Sequence, residues 1–419
     1  MKISDLIRYA LGVCEAATML AGCGGTQTPG QPTQLGLNAL PFSHALTRLA
    51  VHRKGKAEIL LFVYVANIGS NNVYGYSADG SGALTQVSGS PFAADDYPEA
   101  VAVDPTGTFA YVTTATSSDV GTVSGYSINV PSGALTPLNG SPFGAGGSFY
   151  TLGAAVDPKG KFIYVTSAPE SAGITAYAIN ASGQLNLIPG SPFQNHYQPQ
   201  GFGVAVDPTA SFFYAANDNQ RRVRTFEVYA YSYNERTGKP RLVQKVETPG
   251  FFGSPQGVAV DPRGKFLYLA NYDDNDISAY AINPSSGMLT PVAGSPFGAG
   301  NLPFDVAVDP SGRFVYVTNV GSDDVSAYTI NKSSGALTPV AGSPFPAGSG
   351  PLGVAIDPAG SYVFVANNAS NNVSAYSIDS SNGALIQVAG SPFAAGTGPV
   401  SIATCGVMSG ETVCKPPPL

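Results

Sequence analysis

The sequence predicts an all-β protein, a seven-bladed β-propeller of four-stranded antiparallel sheets closed by its C-terminal strand. Three observations carry this expectation. A unit of about fifty residues recurs seven times, each unit holds four short apolar segments separated by turn residues, and one copy of the first segment is displaced to the end of the chain. Periods in this range belong to propellers and solenoids, where one unit cannot bury its own apolar faces and must stack on its neighbours.

The unit is clearest at Pro303-Phe304-Asp305-Val306-Ala307-Val308-Asp309-Pro310, which reads as the inner strand and its turn. Phe314-Val315-Tyr316-Val317-Thr318-Asn319 follows as the second strand, Val325-Ser326-Ala327-Tyr328 as the third and Gly335-Ala336-Leu337-Thr338-Pro339-Val340 as the fourth. Gly342-Ser343-Pro344-Phe345 closes the unit. Each segment is four to seven residues rich in Val, Ile, Phe, Tyr, Ala and Leu, none keeps helical periodicity, and Gly, Pro, Asn, Asp or Ser punctuates every boundary.

The second-strand tyrosine fixes the count. It recurs as Tyr64, Tyr111, Tyr164, Tyr214, Tyr268 and Tyr316, with Phe364 in the seventh copy. Only six internal inner strands precede these seven. Pro399-Val400-Ser401-Ile402-Ala403-Thr404 has the lead-in to be the seventh, pairing with the strand that begins near Leu61. Leu49-Ala50-Val51 also resembles a worn inner strand. The tail is the better candidate, because joining the two ends removes an open sheet edge. The repeats run without a linker over residues 59–405, so one domain is expected there, followed by a tail at 406–419.

Composition fits blades. Of 419 residues 50 are Gly and 34 Pro, which turns consume, and only 11 % are charged, with a formal net charge of −7. That balance and the lack of an extended basic stripe argue against nucleic acid as a partner.

Residues 1–22 read as a candidate export signal. Lys2 and Arg8 lead into a modestly apolar stretch ending Leu20-Ala21-Gly22-Cys23. This resembles the signal of bacterial lipoproteins, which implies cleavage before Cys23, acylation of that cysteine, and an exported protein of the cell envelope held to the membrane by that anchor alone. Asp5 and Glu15 depart from the pattern. Residues 23–58 then serve as a tether and N-terminal extension, its first part rich in Gly, Pro, Gln and Thr. Cys405 and Cys414 remain in the mature tail, where an oxidising compartment permits a disulfide. No cysteine–histidine spacing suggests a metal site, no cofactor is expected, and the chain is expected to be a monomer.

The repeats resemble those of the seven-bladed propeller lactonase family, with members that hydrolyse 6-phosphogluconolactone. The Tyr316-Val317-Thr318-Asn319 segment also resembles a repeat signature of bacterial and archaeal surface proteins. The resemblance covers residues 59–405 and implies the fold. For activity it implies a Gly-Pro-Arg-His run leading into an inner strand, to move a proton and hold an acidic substrate. The corresponding pairs in this chain are Glu99-Ala100, Leu152-Gly153, Phe202-Gly203, Gln256-Gly257, Phe304-Asp305, Leu352-Gly353 and Val400-Ser401. None holds Arg or His.

The candidate catalytic groups are therefore His196, Glu99 and Asp305. His196 has the reference pKa nearest neutrality, and the two acids stand at the departed catalytic places, where a solvated carboxylate is the bland expectation. Candidate ligand-binding groups are Arg221, Arg222, Arg224 and Gln256. The three arginines belong to an irregular fourth unit with five extra residues, followed by Arg236, Lys239, Arg241 and Lys245; arginine holds carboxylate or phosphate bidentately. The recurring Asp104, Asp157, Asp207, Asp261, Asp309 and Asp357, each before Pro, and the strand-end Asn67, Asn217, Asn271, Asn319 and Asn367 read as structural. Three functions follow: a binding or scaffold module for a protein or glycan, a lactone hydrolase, or a structural surface-layer component.

Overall fold

A computed structural model describes residues 59–115, 121–146, 150–168, 173–193, 203–209, 211–219, 225–248, 254–408 and 411–413. The candidate signal, Cys23, the tether and the segment 49–51 lie outside the described residues. Every regular element among the described residues is a strand.

The strands form seven antiparallel sheets. In the sixth blade the order from the centre outward is Pro303–Val308, Phe314–Asn319, Asp324–Ile330 and Leu337–Pro339. The first blade is assembled from both ends of the domain: Pro399–Met408 lies beside Ile59–Asn67, with Phe62 opposite Cys405 and Val65 opposite Ile402. The expected clasp is present. The strand runs past residue 405, and Glu411–Val413 pairs back onto it, Gly406 opposite Val413. Residues 406–408 and 411–413 thus pair within the first sheet.

Flat blades with apolar faces leave wedge-shaped gaps only side chains can fill. Among the described residues seven apolar clusters do so, each bridging two neighbouring blades around the ring. Leu61, Val63 and Val65 of the first blade meet Phe364, Ala366 and Val373 of the seventh, so the seam holding the clasp is packed like the others.

Hydrogen bonds repeat with the blades. The second-strand tyrosines are fully buried. Tyr64, Tyr111, Tyr164, Tyr214, Tyr268 and Tyr316 donate to the carbonyls of Gly133, Gly183, Gly238, Gly287, Gly335 and Gly383, in the outer turn of the next blade, at 2.8–3.1 Å. The Gly-Ser-Pro-Phe motif is more than a turn. Its serine hydroxyl accepts a third-strand amide, as Ala327 N to Ser343 Oγ at 2.9 Å, and Phe345 with its neighbour pairs onto Asp324 and Val325. The repeated aspartates hold their turns as the sequence suggests: Asp309 Oδ1 accepts from Arg313 N and Phe314 N, each at 2.6 Å.

Candidate functional site

Where the inner strands begin, they converge on a cavity of about 240 Å³. It is lined by Glu99, Leu152, Gly203, Gln256, Phe304, Asp305, Val400, Ser401 and their neighbours, from six of the seven blades. The seventh blade's Leu352 instead packs with Tyr272 and Val320, beside Phe304 and Val400. At roughly 30 Å³ of liquid volume per water, the space matches about eight waters. That suits one small molecule.

Bulges shape the lining. In the second, third, fifth, sixth and seventh blades the inner strand shifts register at its start, between Pro303 and Val306 in the sixth. A bulge frees an amide from the ladder, and polar side chains take it up. Thr318 Oγ1 accepts from Asp305 N at 3.1 Å and donates to Leu352 O at 2.6 Å. Thr113 does the same with Ala100 N at 2.9 Å and Leu152 O at 2.8 Å. Loops on the same face are fixed by Asn71, Asn275, Asp323 and Asn371, all at positive φ. Their Oδ1 atoms accept from Tyr97, Leu302, Gly350 and Gly398 amides at 2.7–3.0 Å.

Of the sequence candidates, the structure brings Glu99, Asp305 and Gln256 to this one cavity. Both acids are half-buried on the cavity lining. Glu99 makes no side-chain hydrogen bond or ion pair among the described residues, and desolvation by the surrounding blades pushes its carboxyl up to about 8. Asp305 is built into the wall. Its Oδ1 accepts from Val306 N at 2.9 Å and its Oδ2 from Val354 N of the next blade at 3.0 Å. Burial raises it to about 6, against the lowering effect of those two amides. Gln256 is 5 % exposed; its Nε2 donates to Ser254 Oγ at 3.2 Å, and its Oε1 has no partner among the described residues.

His196, Arg221, Arg222, Arg224 and Cys414 lie outside the described residues. None of the described lining residues is Lys, Arg or His. Cys405 is buried and disulfide-bonded. Among the described residues no group of three or more His, Cys, Asp or Glu could hold a metal ion. Sequence reasoning passed over Ser401, whose hydroxyl accepts from Val101 N of the next blade at 3.2 Å. Its place in the Val400-Ser401 entrance pair was the available signal.

The ring of seven blades agrees with the family that the sequence matches. The family described as lactonase, 7-bladed β-propeller, aligns with residues 60–230, 227–301 and 293–402. The chain belongs to that family. Among solved structures it is similar to a Bacteroides uniformis protein described as a candidate 6-phosphogluconolactonase, with a TM-score of 0.70 and 17 % identity over 82 % of this chain and 99 % of that one. The Pseudomonas aeruginosa periplasmic gluconolactonase gives 0.69 and 19 % over 82 % and 99 %. A Lactobacillus plantarum protein gives 0.68 and 17 % over 83 % and 99 %. These identities speak for the lactonase propeller fold alone. No curated protein matches the sequence.

Proposed function

We propose that the chain is a lactone hydrolase working from the central cavity, with Asp305 as general base and Glu99 as general acid. The observation that carries this reading is the pair of carboxyls that line one cavity from two non-adjacent blades, Glu99 from the second and Asp305 from the sixth. With Asp305 near 6 and Glu99 near 8, the first is mostly ionised and the second mostly protonated at neutral pH. Two carboxyls whose environments push their pKa values apart divide the base and acid roles between them. Asp305 would take a proton from water as its oxygen bonds to the lactone carbonyl carbon. The protonated Glu99 would hydrogen-bond the developing oxyanion. As the ring C–O bond breaks, Glu99 gives its proton to the leaving oxygen, so the open hydroxy acid leaves Asp305 protonated and Glu99 ionised. Asp305 then loses its proton to water and Glu99 takes one from water before the next turnover.

The test is release of acid from D-glucono-1,5-lactone above its spontaneous rate. Wild type should show a bell-shaped kcat/KM with limbs near pH 6 and pH 8. Glu99→Gln and Asp305→Asn should each lose on the order of 10²–10⁴-fold. A rate equal to the spontaneous one, or variants as active as wild type, removes this reading.

A second reading, an exported binding or scaffold module for a protein or glycan, draws on the fourth blade. Its outer strand Pro240–Glu247 has eight residues where the other six blades have three. That edge carries the exposed Arg241, and a long edge strand is a ready pairing surface. Export itself rests on the Cys23 motif; acyl chains on Cys23 in the mass of the mature protein would support it, and an intact N-terminus would remove it.

A further inference from the structure

Building on the hydrolase reading, we propose that the cavity admits an uncharged, hydroxyl-bearing ring and excludes phosphorylated or carboxylated ones, with Gln256 as the residue that selects the ring hydroxyl. Two independent features point this way.

The first is the unpartnered Oε1 of Gln256. The side chain is more than nine-tenths buried, lines the cavity, and has its other amide atom engaged with Ser254. A buried acceptor left without a donor is costly, and natural proteins retain few. A ligand hydroxyl in the cavity would supply the donor. An anionic oxygen could not, because it brings no proton to a carbonyl.

The second is the sign of the charge. The charged side chains among the described lining residues are Glu99 and Asp305, both acids. Asp305 keeps spare lone pairs beyond the two amides it accepts, so a ligand hydroxyl can donate there as well. A phosphate at the same place would face a carboxylate, and like charges at short range repel. Phosphate recognition elsewhere relies on Arg, Lys or clusters of amide donors, and here the bulge amides of Val306 and Val354 are already bound to Asp305. A neutral polyhydroxylated ring satisfies both acceptors and adds no charge to the wall.

Sites built to hydrogen-bond a hydroxyl discriminate strongly, because the unmatched ligand leaves buried groups unpaired. The experiment is equilibrium binding to the full chain with probes that cannot hydrolyse: 1,5-anhydroglucitol, which is uncharged, and 6-phosphogluconate. The expected result is saturable binding of anhydroglucitol and at least about 100-fold weaker binding of 6-phosphogluconate. Gln256→Leu and the isosteric Gln256→Met should each weaken anhydroglucitol roughly 10- to 100-fold, with a melting temperature equal to or above wild type. Tighter binding of the phosphorylated probe, no binding of anhydroglucitol, or equal affinity in both Gln256 variants would overturn the proposal. Selective anhydroglucitol binding without lactone turnover would sustain it and remove the hydrolase reading. Turnover that favours the 6-phosphate would do the reverse.

Discussion

Tyr362 donates its hydroxyl to the carbonyl of Gly80 at 2.8 Å, across the seam where the seventh blade meets the first. In the other six seams a phenylalanine at or near the start of the second strand lies over the glycine of the next blade's outer turn, and a tyrosine two residues later donates to that turn. Gly335, at φ +78°, illustrates the fit: a Cβ there would sit 2.4 Å from Phe266, and Tyr268 bonds its carbonyl. The seventh blade reverses the two aromatics as Tyr362 and Phe364. The Tyr362 ring covers Gly82, and its hydroxyl reaches round to Gly80. Every seam thus keeps one aromatic cover and one hydroxyl.

Removing those hydroxyls should separate exposed from buried staples. Tyr362→Phe breaks a bond at the surface and should cost about 0.5–1.5 kcal/mol. Tyr316→Phe strands the Gly383 carbonyl in a buried seam and should cost about 1–3 kcal/mol. Urea unfolding at constant m-value reads both. Equal and negligible losses would show that these bonds only decorate the apolar packing.

Tyr280 offers the opposite case. The third-strand tyrosines Tyr76, Tyr126, Tyr177, Tyr328 and Tyr376 donate to the carbonyl following the Ser-Pro-Phe run of the preceding blade, at 2.6–3.0 Å. The fourth blade has Glu247-Thr248-Pro249-Gly250 in place of that motif, and the buried Tyr280 hydroxyl has no partner among the described residues. Tyr280→Phe should be neutral or stabilising, whereas Tyr328→Phe should lose about 1 kcal/mol. Comparable destabilisation of both variants would mean that Tyr280 has a donor or acceptor in solution.

The contrast shows what a single sequence can and cannot convey. Blade count, strand order and the C-terminal clasp are legible because period-two apolar runs between Gly and Pro specify strands locally, and the Tyr64-to-Phe364 series counts them. The departure of the fourth blade is equally plain. The consequence for Tyr280 is not, since it depends on a backbone carbonyl one blade away. The same holds at the cavity. Glu99 and Asp305 stand out as acids where neighbouring copies have Val, Leu or Gly, but their desolvation arises from the convergence of six inner strands. Asp305 as a link between the sixth and seventh blades requires knowing that Val354 N is left free by a bulge.

Cys405 provides a covalent test of the clasp. It lies opposite Phe62 in the closing strand and is disulfide-bonded, and Glu411–Val413 folds back beside it. Cys414 is the partner expected from the sequence. Closing so short a loop should contribute roughly 2–3 kcal/mol to the order of the tail. Non-reducing peptide mapping should recover a Cys405–Cys414 cross-link, and Cys414→Ser should speed hydrogen exchange at residues 406–408 while leaving the other six blades unchanged. A cross-link to Cys14 or Cys23 would reject this pairing.

Glu99 should make the fold itself sensitive to pH. Its carboxyl sits at about 8 in the folded protein against an ordinary value of 4.5, so between those limits the folded state binds more protons than the unfolded chain. Stability then falls as pH rises from about 4.5 to about 8, and is level above that. Asp305 acts in the same direction over a lower window, from 3.8 to about 6, a window Asp276 shares. Glu99→Gln removes only the Glu99 contribution and leaves the other two groups in place. Denaturant unfolding across this range should therefore give nearly equal stabilities for wild type and variant near pH 4.5. By pH 8 the variant should be the more stable, with the gap opening steadily between. Parallel profiles, or a gap that closes on raising the pH, would show that Glu99 ionises as freely as an exposed glutamate and would take the general-acid role away from it.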